Sequence, residues 1–275
     1  MHENNSFMET AGYIAAALIG LSLGLMGGGG SILTVPVLVY FFRMQPLYAT
    51  SYSLFIVGFT SLTGALKNYM HGLVNIRTAL IFGISSFITV FATRRWVVPA
   101  IPKVIVETAT YAVTSDMLTM VLFAVLMVAA AFSMLKHRKI KQHKNTDNTT
   151  LHVLHLLWYG LAIGFVTGLL GAGGGFLLIP ILVTSLKLPM KEAVGTSLLI
   201  IAINSLIGFA GDIGNLSIEW RKLLTITAIA VAGILAGAAL SRRIEAGRLK
   251  KAFGWFVLLT GIFIIVKEIL ILRGA

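Results

Sequence analysis

Charged residues are missing from long stretches of this chain, and their absence constrains the fold more than any other feature. No Asp, Glu, Lys or Arg occurs in residues 10–42 or in residues 148–186, and several shorter charge-free stretches occur elsewhere. A membrane-spanning helix needs about 20 apolar residues, so each long stretch could cross a bilayer. The pattern predicts an all-α integral membrane protein. It excludes a soluble enzyme, a disordered regulator and a small secreted protein held together by disulfides.

The basic residues lie in short clusters between the apolar stretches. Their excess gives a formal net charge of +12, but Arg94–Arg95, residues 136–144 and residues 242–251 are separated along the chain. Such clusters are typical of loops that set membrane orientation, so no nucleic-acid partner is expected. The chain has no cysteine. His152 and His155 have no acidic residue or cysteine beside them in the sequence, so neither a metal site nor a cofactor is expected.

The chain contains an internal repeat at an offset of 144 residues. Gly24–Pro36 matches Gly168–Pro180, and further along Ser53 matches Ser197 at the same offset. The repeat divides the chain into an N-terminal transmembrane repeat (1–135), a basic linker (136–150) and a C-terminal transmembrane repeat (151–275).

Each repeat is predicted to hold one long glycine-interrupted segment and three ordinary helices. A straight helix over residues 11–41 would be about 46 Å long, whereas the hydrocarbon core is about 30 Å thick. The segment therefore either crosses once, broken and tilted, or turns at its glycines and returns. The predicted segments are 11–41, 48–66, 76–98 and 117–135 in the first repeat, and 152–186, 193–211, 221–241 and 251–272 in the second.

The distribution of positive charge favours the return. If each long segment returns to its starting side, most Lys and Arg fall on the side of the linker; if each crosses once, they divide equally between the two sides. The first arrangement fits the positive-inside tendency, with the linker cytoplasmic and both termini outside. An odd number of crossings per repeat also makes the two repeats inverted, an arrangement typical of secondary transporters.

The glycine clusters are the candidate binding elements. Backbone that leaves the helix at membrane depth must face protein or a wet cavity, and helix starts beside the break offer N–H donors and partial positive charge to an anion. Tight helix packing is the alternative reading, and it is favoured for the GxxxG pairs at Gly20, Gly164 and Gly233. The glycines predicted to bind substrate are Gly27, Gly28, Gly29, Gly30, Gly171, Gly173, Gly174 and Gly175.

Hydroxyl and basic side chains near the breaks extend this candidate site. Ser53, Thr196 and Ser197 could donate to an oxyanion, although hydroxyls in membrane helices also bond to the carbonyls of their own helix. Arg77 and Arg221 are related by the repeat and could attract anions at entrances, or could lie at the interface as helix starts. The predicted spans contain almost no acidic residue, which argues against cation transport.

The paired glycine motifs, each followed by a sequence such as Ala193-Val-Gly-Thr-Ser-Leu198, resemble the sulfite exporter TauE/SafE family of membrane permeases over essentially the whole chain. The resemblance implies export of sulfite or organosulfonates such as sulfoacetate from a bacterial inner membrane, and no catalysis. The first repeat departs from the motif, with Tyr52 in place of Thr196. An anion channel of the same fold and a transporter of other small organic anions stay open, as does the oligomeric state.

Overall fold

The computed structural model describes residues 2–102, 104–108, 111–135, 149–184, 186–240 and 246–274. Within these residues the fold is all-α apart from one β-hairpin. Most of the basic linker, residues 136–148, lies outside the described residues, and the second repeat begins with a helix at Thr149.

The first repeat begins with a helix that is interrupted at its glycines. Its helix starts at His2, earlier than the predicted start at residue 11. The elements are α1 (His2–Met26), a 3₁₀ segment (Gly28–Leu33), α2 (Thr34–Tyr40), α3 (Pro46–Met70), α4 (Ile76–Ala92), a π-helical turn (Thr93–Val97), α5 (Val98–Ala100), β1 (Val104–Thr108), β2 (Tyr111–Thr114) and α6 (Ser115–Leu135). The antiparallel hairpin β1–β2 is not predicted by the apolar pattern.

The second repeat follows the same order, and its described residues include no hairpin. Its first helix ends at Leu170, and a short glycine turn leads into the next helix. The elements are α7 (Thr149–Leu170), α8 (Gly175–Thr184), α9 (Met190–Asp212), α10 (Trp220–Leu240) and α11 (Ala246–Gly274).

The lengths and apolar composition of its helices make the molecule a multi-pass membrane protein. Among the described residues, six helices are long and apolar enough to cross a bilayer. They also leave large apolar side chains uncovered: Ile88 is 66% exposed, Phe132 62% and Phe263 58%. Side chains of this kind on the outside of a helical bundle are the surface that a lipid environment covers.

The centre of the fold is an antiparallel pair formed by α3 and α9. Gly64 of α3 faces Leu198 near the start of α9, whereas Leu54, near the start of α3, faces Gly208 near the end of α9. Of the six helices long and apolar enough to cross a bilayer among the described residues, these two are the most buried. α3 and α9 are equivalent helices of the two repeats. At this pair, therefore, the two repeats run in opposite directions.

The outer helices α1 and α7 each pack against a helix of the other repeat. A Cβ atom on Gly20 of α1 would overlap the Ala230 carbonyl of α10, and a Cβ atom on Gly164 of α7 would lie 2.6 Å from the Ser86 carbonyl of α4. Gly164 and Ser86 stand at the 144-residue offset from Gly20 and Ala230. On α10, Gly233 likewise packs against the Ala17 carbonyl. The predicted role of these GxxxG glycines in close helix packing is confirmed.

The first segment turns back on itself. α1 runs parallel to α10, since residues 17–24 contact residues 230–238 in increasing order. After the break, α2 ends at Tyr40, and Phe42 packs against Gly12 and Tyr13 near the beginning of α1; the Tyr13 and Phe42 ring centroids are 5.3 Å apart. The chain therefore reaches α3 from the end of the bundle at which α1 starts.

Candidate functional site

The two glycine breaks approach each other inside the bundle. A Cβ atom on Gly28 would lie only 2.5 Å from the Cα atom of Gly175, so a side chain at this contact would collide with the opposite backbone. Both glycine clusters are buried throughout, at residues 27–30 and 171–175. The positive φ angles of Gly27, Gly171, Gly173 and Gly174 lie between 67° and 73°, a region that residues with side chains rarely occupy. Glycine is therefore required at these breaks by backbone conformation and by close approach.

At each break the first N–H group completes the helix that precedes it. The N–H groups of Gly27 and Gly171 donate to Leu23 and Thr167 at 2.8 and 2.9 Å, which completes the ends of α1 and α7. Gly175 is the first residue of α8, and the first N–H groups of a helix have no partner within it. The donors available to a ligand are thus those that follow Gly27 and Gly171.

The second break reaches the middle of the α3–α9 pair. A Cβ atom on Gly173 would lie 2.8 Å from Val57 of α3, and 3.0 and 3.3 Å from Ile201 and the Ser205 hydroxyl of α9. The Ser205 hydroxyl is buried and has no hydrogen-bond partner among the described residues. Ser61, its equivalent in the first repeat, is likewise buried and unpartnered. Two hydroxyl groups with unused hydrogen-bonding capacity therefore lie on the two central helices.

Asn204 and Thr167 add polar atoms to this central region. Asn204 donates through Nδ2 to the Ser86 hydroxyl at 2.7 Å, while its Oδ1 has no partner within the described part of the chain. The Thr167 hydroxyl lies beside Gly174 and is also unpartnered there. Thr167 lines a small, mainly apolar pocket with Ile32 and Phe123. Buried polar atoms of this kind are costly without a partner, which points to ligand or water contacts at this place.

The predicted hydroxyls are buried, and each already makes one hydrogen bond. Ser53 donates to the carbonyl of Gly171 at 2.7 Å, which ties α3 to the second break. Ser197 donates to the carbonyl of Val194 in its own helix at 2.9 Å. Thr196 accepts a bond from the N–H of Asn75 at 2.9 Å, so its own proton is still free to be donated. Of the three, Ser53 alone links a hydroxyl directly to a glycine break.

The contact of Thr196 recurs in the other repeat. Glu219 stands at the 144-residue offset from Asn75, and its N–H donates to the hydroxyl of Tyr52 at 2.7 Å. Tyr52 is in turn the equivalent of Thr196. The substitution of tyrosine in the first repeat therefore keeps the hydrogen bond between the repeats and places a larger side chain at that end.

Arg77 and Arg221 are exposed in the first turns of α4 and α10. Both arginines therefore lie at helix starts on the surface of the bundle, as either interpretation of the sequence expects.

The sequence pattern failed to identify a buried ion pair. Arg94, expected in a basic loop, is fully buried in the π-helical turn, so that expectation is wrong. Its Nη1 atom lies 3.1 Å from Asp212 Oδ2 at the end of α9 and 3.1 Å from the Thr50 hydroxyl at the start of α3. A basic cluster next to an apolar run does not say which arginine points inward. A π-helical turn, which frequently accompanies functional sites, is seen only in the folded chain.

The chain matches a known family of membrane proteins. The family model described as sulfite exporter TauE/SafE matches residues 13–264. A probable membrane transporter protein of Xylella fastidiosa (strain 9a5c) is 26% identical over 258 residues, covering 92% of this chain and 94% of that protein. A probable membrane transporter protein of Methanocaldococcus jannaschii is 35% identical over 200 residues, covering 71% and 68%.

A third relative, a probable membrane transporter protein of Bacillus subtilis, is 27% identical over 259 residues, covering 85% of this chain and 90% of that protein. No solved structure gives a significant match. The family model covers nearly all of the chain, including both glycine breaks. It also includes five of the six apolar spans completely and all of Met8–Leu25 except its first residues. The chain belongs to the sulfite exporter TauE/SafE family of membrane transporters.

Proposed function

We propose that this transporter exports sulfur-containing anions, sulfite or organosulfonates such as sulfoacetate, by alternating access and without catalysis. The anion binds in the middle of the membrane between the two glycine breaks. Backbone N–H groups beside the breaks and nearby hydroxyls donate hydrogen bonds to its oxygens. The substrate-binding residues are Gly27, Gly28, Gly29, Gly30, Ser53, Gly171, Gly173, Gly174, Gly175, Thr196 and Ser197, joined by Ser61 and Ser205.

The observation that carries the proposal is the close approach of Gly28 and Gly175, with the unpartnered hydroxyl of Ser205 beside Gly173 in the same break. The hydroxyl there can donate a hydrogen bond, and the helix start at Gly175 adds partial positive charge. An oxyanion takes up such donors and needs no carboxylate, whereas a cation would need acceptors. The family description supports sulfite as the first substrate to test.

Alternating access rests on an inverted relation between the repeats. The antiparallel packing of α3 with α9 and the exchanged contacts of α1 with α10 and α7 with α4 support it. So does the repeated hydrogen bond that joins Asn75 to Thr196 and Glu219 to Tyr52. Two such repeats can rock about a site that both of them contribute to.

The proposed orientation puts the linker on the cytoplasmic side of a bacterial inner membrane and both termini outside. It is supported by the excess of Lys and Arg on the linker side. The return of Phe42 to Gly12 supports re-entrant first segments, on which that charge distribution depends.

The test is the flux of labelled sulfite in proteoliposomes that contain the full chain. Gly173→Ala places a methyl group against Val57, Ile201 and Ser205 and is expected to abolish flux. Gly72→Ala is the matched control, because Gly72 has the same φ of 68° but nothing within 4 Å of an added Cβ atom. Equal flux in wild-type protein and Gly173→Ala would remove the breaks from the transport path.

A countertransport experiment distinguishes an alternating-access carrier from an anion channel. Unlabelled sulfite on the opposite side of the membrane accelerates the exchange of labelled sulfite through an alternating-access carrier. Flux that rises linearly with concentration and shows no such acceleration would favour an anion channel instead.

A further inference from the structure

Arg94 carries hydrogen-bonding capacity that its protein partners do not use. Both of its described contacts, to Asp212 and to Thr50, are made by Nη1. Nε and Nη2 are buried and have no hydrogen-bond partner among the described residues. These two atoms form one edge of the guanidinium, and that edge can hold two oxygens of an oxyanion at once.

The position of Arg94 connects it to the second glycine break. Its partner Thr50 lies against Gly171, where an added Cβ atom would lie 2.8 Å from Thr50 Cα. Ser53, one turn further along α3, donates to the carbonyl of Gly171. The guanidinium, the first turn of α3 and the break therefore form one continuous cluster at the end of the bundle where α3 begins.

The surrounding backbone fixes the guanidinium in place. Arg94 lies in a π-helical turn, and Gly211 allows α9 to approach it, since a Cβ atom there would be 3.0 Å from Arg94 Cβ. Asp212 and Thr50 then hold Nη1, so the Nε–Nη2 edge keeps one orientation. A buried charged group with unpaired N–H atoms is unfavourable unless another partner satisfies it.

The repeat shows that this cluster belongs to one end of the molecule alone. The positions equivalent to Thr50, Arg94 and Asp212 are Val194, Ala238 and Asn68, and none of these can carry a charge. Helix packing in the second repeat therefore does not need the ion pair. This favours a role in binding over a role in the shared architecture.

We propose that the Nε–Nη2 edge of Arg94 is a second oxyanion-binding point, between the central breaks and the side of the membrane where α3 begins. Its ligand is an anion with two or more oxygens on one atom, such as sulfite or a sulfonate. The inference rests on the proposed function, and in the proposed orientation it places Arg94 on the outer part of the export path. Asp212 and Thr50 are positioning residues.

The test compares labelled sulfite flux in proteoliposomes containing wild-type protein, Arg94→Lys and Arg95→Gln. Lysine keeps the charge but lacks the planar edge, and the expected result is a KM raised by about tenfold to a hundredfold. Arg95 is the matched control, because it is exposed and its Nη1 lies 3.5 Å from Asn215 Oδ1. Its substitution is expected to leave KM unchanged.

The double variant Arg94→Gln with Asp212→Asn separates binding from a merely structural ion pair. Arg94→Gln alone would leave Asp212 buried without its partner. Removing both charges avoids this and is expected to keep the protein folded, with a thermal unfolding temperature in detergent near that of wild type. KM for sulfite is expected to stay raised in this variant. A KM equal to that of wild type, in this variant or in Arg94→Lys, would overturn the inference alone. Wild-type protein that neither transports sulfite nor is stabilised by it against heat would overturn the proposed function and this inference with it.

Discussion

The hydroxyl of Ser53 donates a hydrogen bond to the carbonyl oxygen of Gly171 across 2.7 Å, and this bond joins α3 of the first repeat to the glycine break of the second. Ser197, its equivalent at the 144-residue offset, bonds instead to Val194 within its own helix. The two repeats therefore hold their breaks differently, although their sequences match at this position.

This difference predicts unequal effects of two equivalent substitutions. Ser53→Ala leaves a buried carbonyl unpaired and is expected to cost about 1–3 kcal/mol, whereas Ser197→Ala removes a bond within one helix and is expected to cost less than about 1 kcal/mol. Thermal unfolding of the purified protein, followed by tryptophan fluorescence, gives the comparison. Equal losses of stability would mean that the bond to Gly171 contributes nothing to holding the break.

The unpartnered hydroxyls of the central helices predict a change in affinity without a loss of stability. Ser61→Ala and Ser205→Ala remove buried groups that have no partner within the described residues, so the fold should be unaffected or slightly stabilised. Each variant loses one donor to the anion, which should raise KM for sulfite by about twofold to tenfold. The measurement is the concentration dependence of flux in proteoliposomes.

Thr63→Ala provides the control for these two variants, because Thr63 lies on α3 with Ser61 and its hydroxyl already donates to the Phe59 carbonyl at 3.0 Å. Its KM should match that of wild type. If Ser61→Ala and Ser205→Ala also kept the wild-type KM, their hydroxyls would not contact the substrate.

The glycines at the helix crossings predict a purely structural effect. Gly20→Ala and Gly164→Ala each force a methyl group into the backbone of the neighbouring helix, at Ala230 and Ser86. Overpacking of this kind costs about 1–3 kcal/mol and should lower the thermal unfolding temperature of both variants. Gly72→Ala has open space around it and adds only the strain of its positive φ, so it should lose less stability than either of them. Unfolding of Gly20→Ala and Gly164→Ala at the Gly72→Ala temperature would contradict the packing described above.

Two equivalent hydrogen bonds join the repeats, from Asn75 to Thr196 and from Glu219 to Tyr52. Comparing them distinguishes a substrate-binding role of Thr196 from a structural one. Thr196→Val and Tyr52→Phe each leave one backbone N–H without its acceptor, at Asn75 or at Glu219, so both are expected to lose about 1–3 kcal/mol of stability. Thr196 also belongs to the proposed site, and its variant alone should raise KM for sulfite. A KM raised equally in Tyr52→Phe would assign the effect to loosened contact between the repeats.

Much of the helical architecture could be predicted from the sequence, because bilayer thickness limits how long a charge-free segment can be. The predicted helix over 193–211 corresponds to Met190–Asp212, and that over 221–241 to Trp220–Leu240. The hairpin of Val104–Thr108 and Tyr111–Thr114 was missed, since two strands this short do not stand out from the apolar segments on either side. The π-helical turn at Thr93–Val97 was missed because nothing in its local sequence distinguishes it from an α-helical turn; in the fold it packs against α7 and α9.

The candidate site could be predicted only in part. Repetition of the glycine clusters marks where the backbone must leave the helix, because glycine alone tolerates those φ angles. Which residues face each other across the repeats depends on how the two halves pack, and the offset of 144 residues does not contain that information. The contacts of Arg94 with Asp212 and of Gly28 with Gly175 are therefore visible only in the folded chain.

The most direct test of the central claim is a structure of the full chain in lipid nanodiscs with saturating sulfite. We expect density for the anion between the two breaks, within hydrogen-bond distance of the N–H groups beside Gly28 and Gly175 and of the Ser205 hydroxyl. A structure with sulfite bound only elsewhere, or with these groups closed against one another at saturating sulfite, would contradict it.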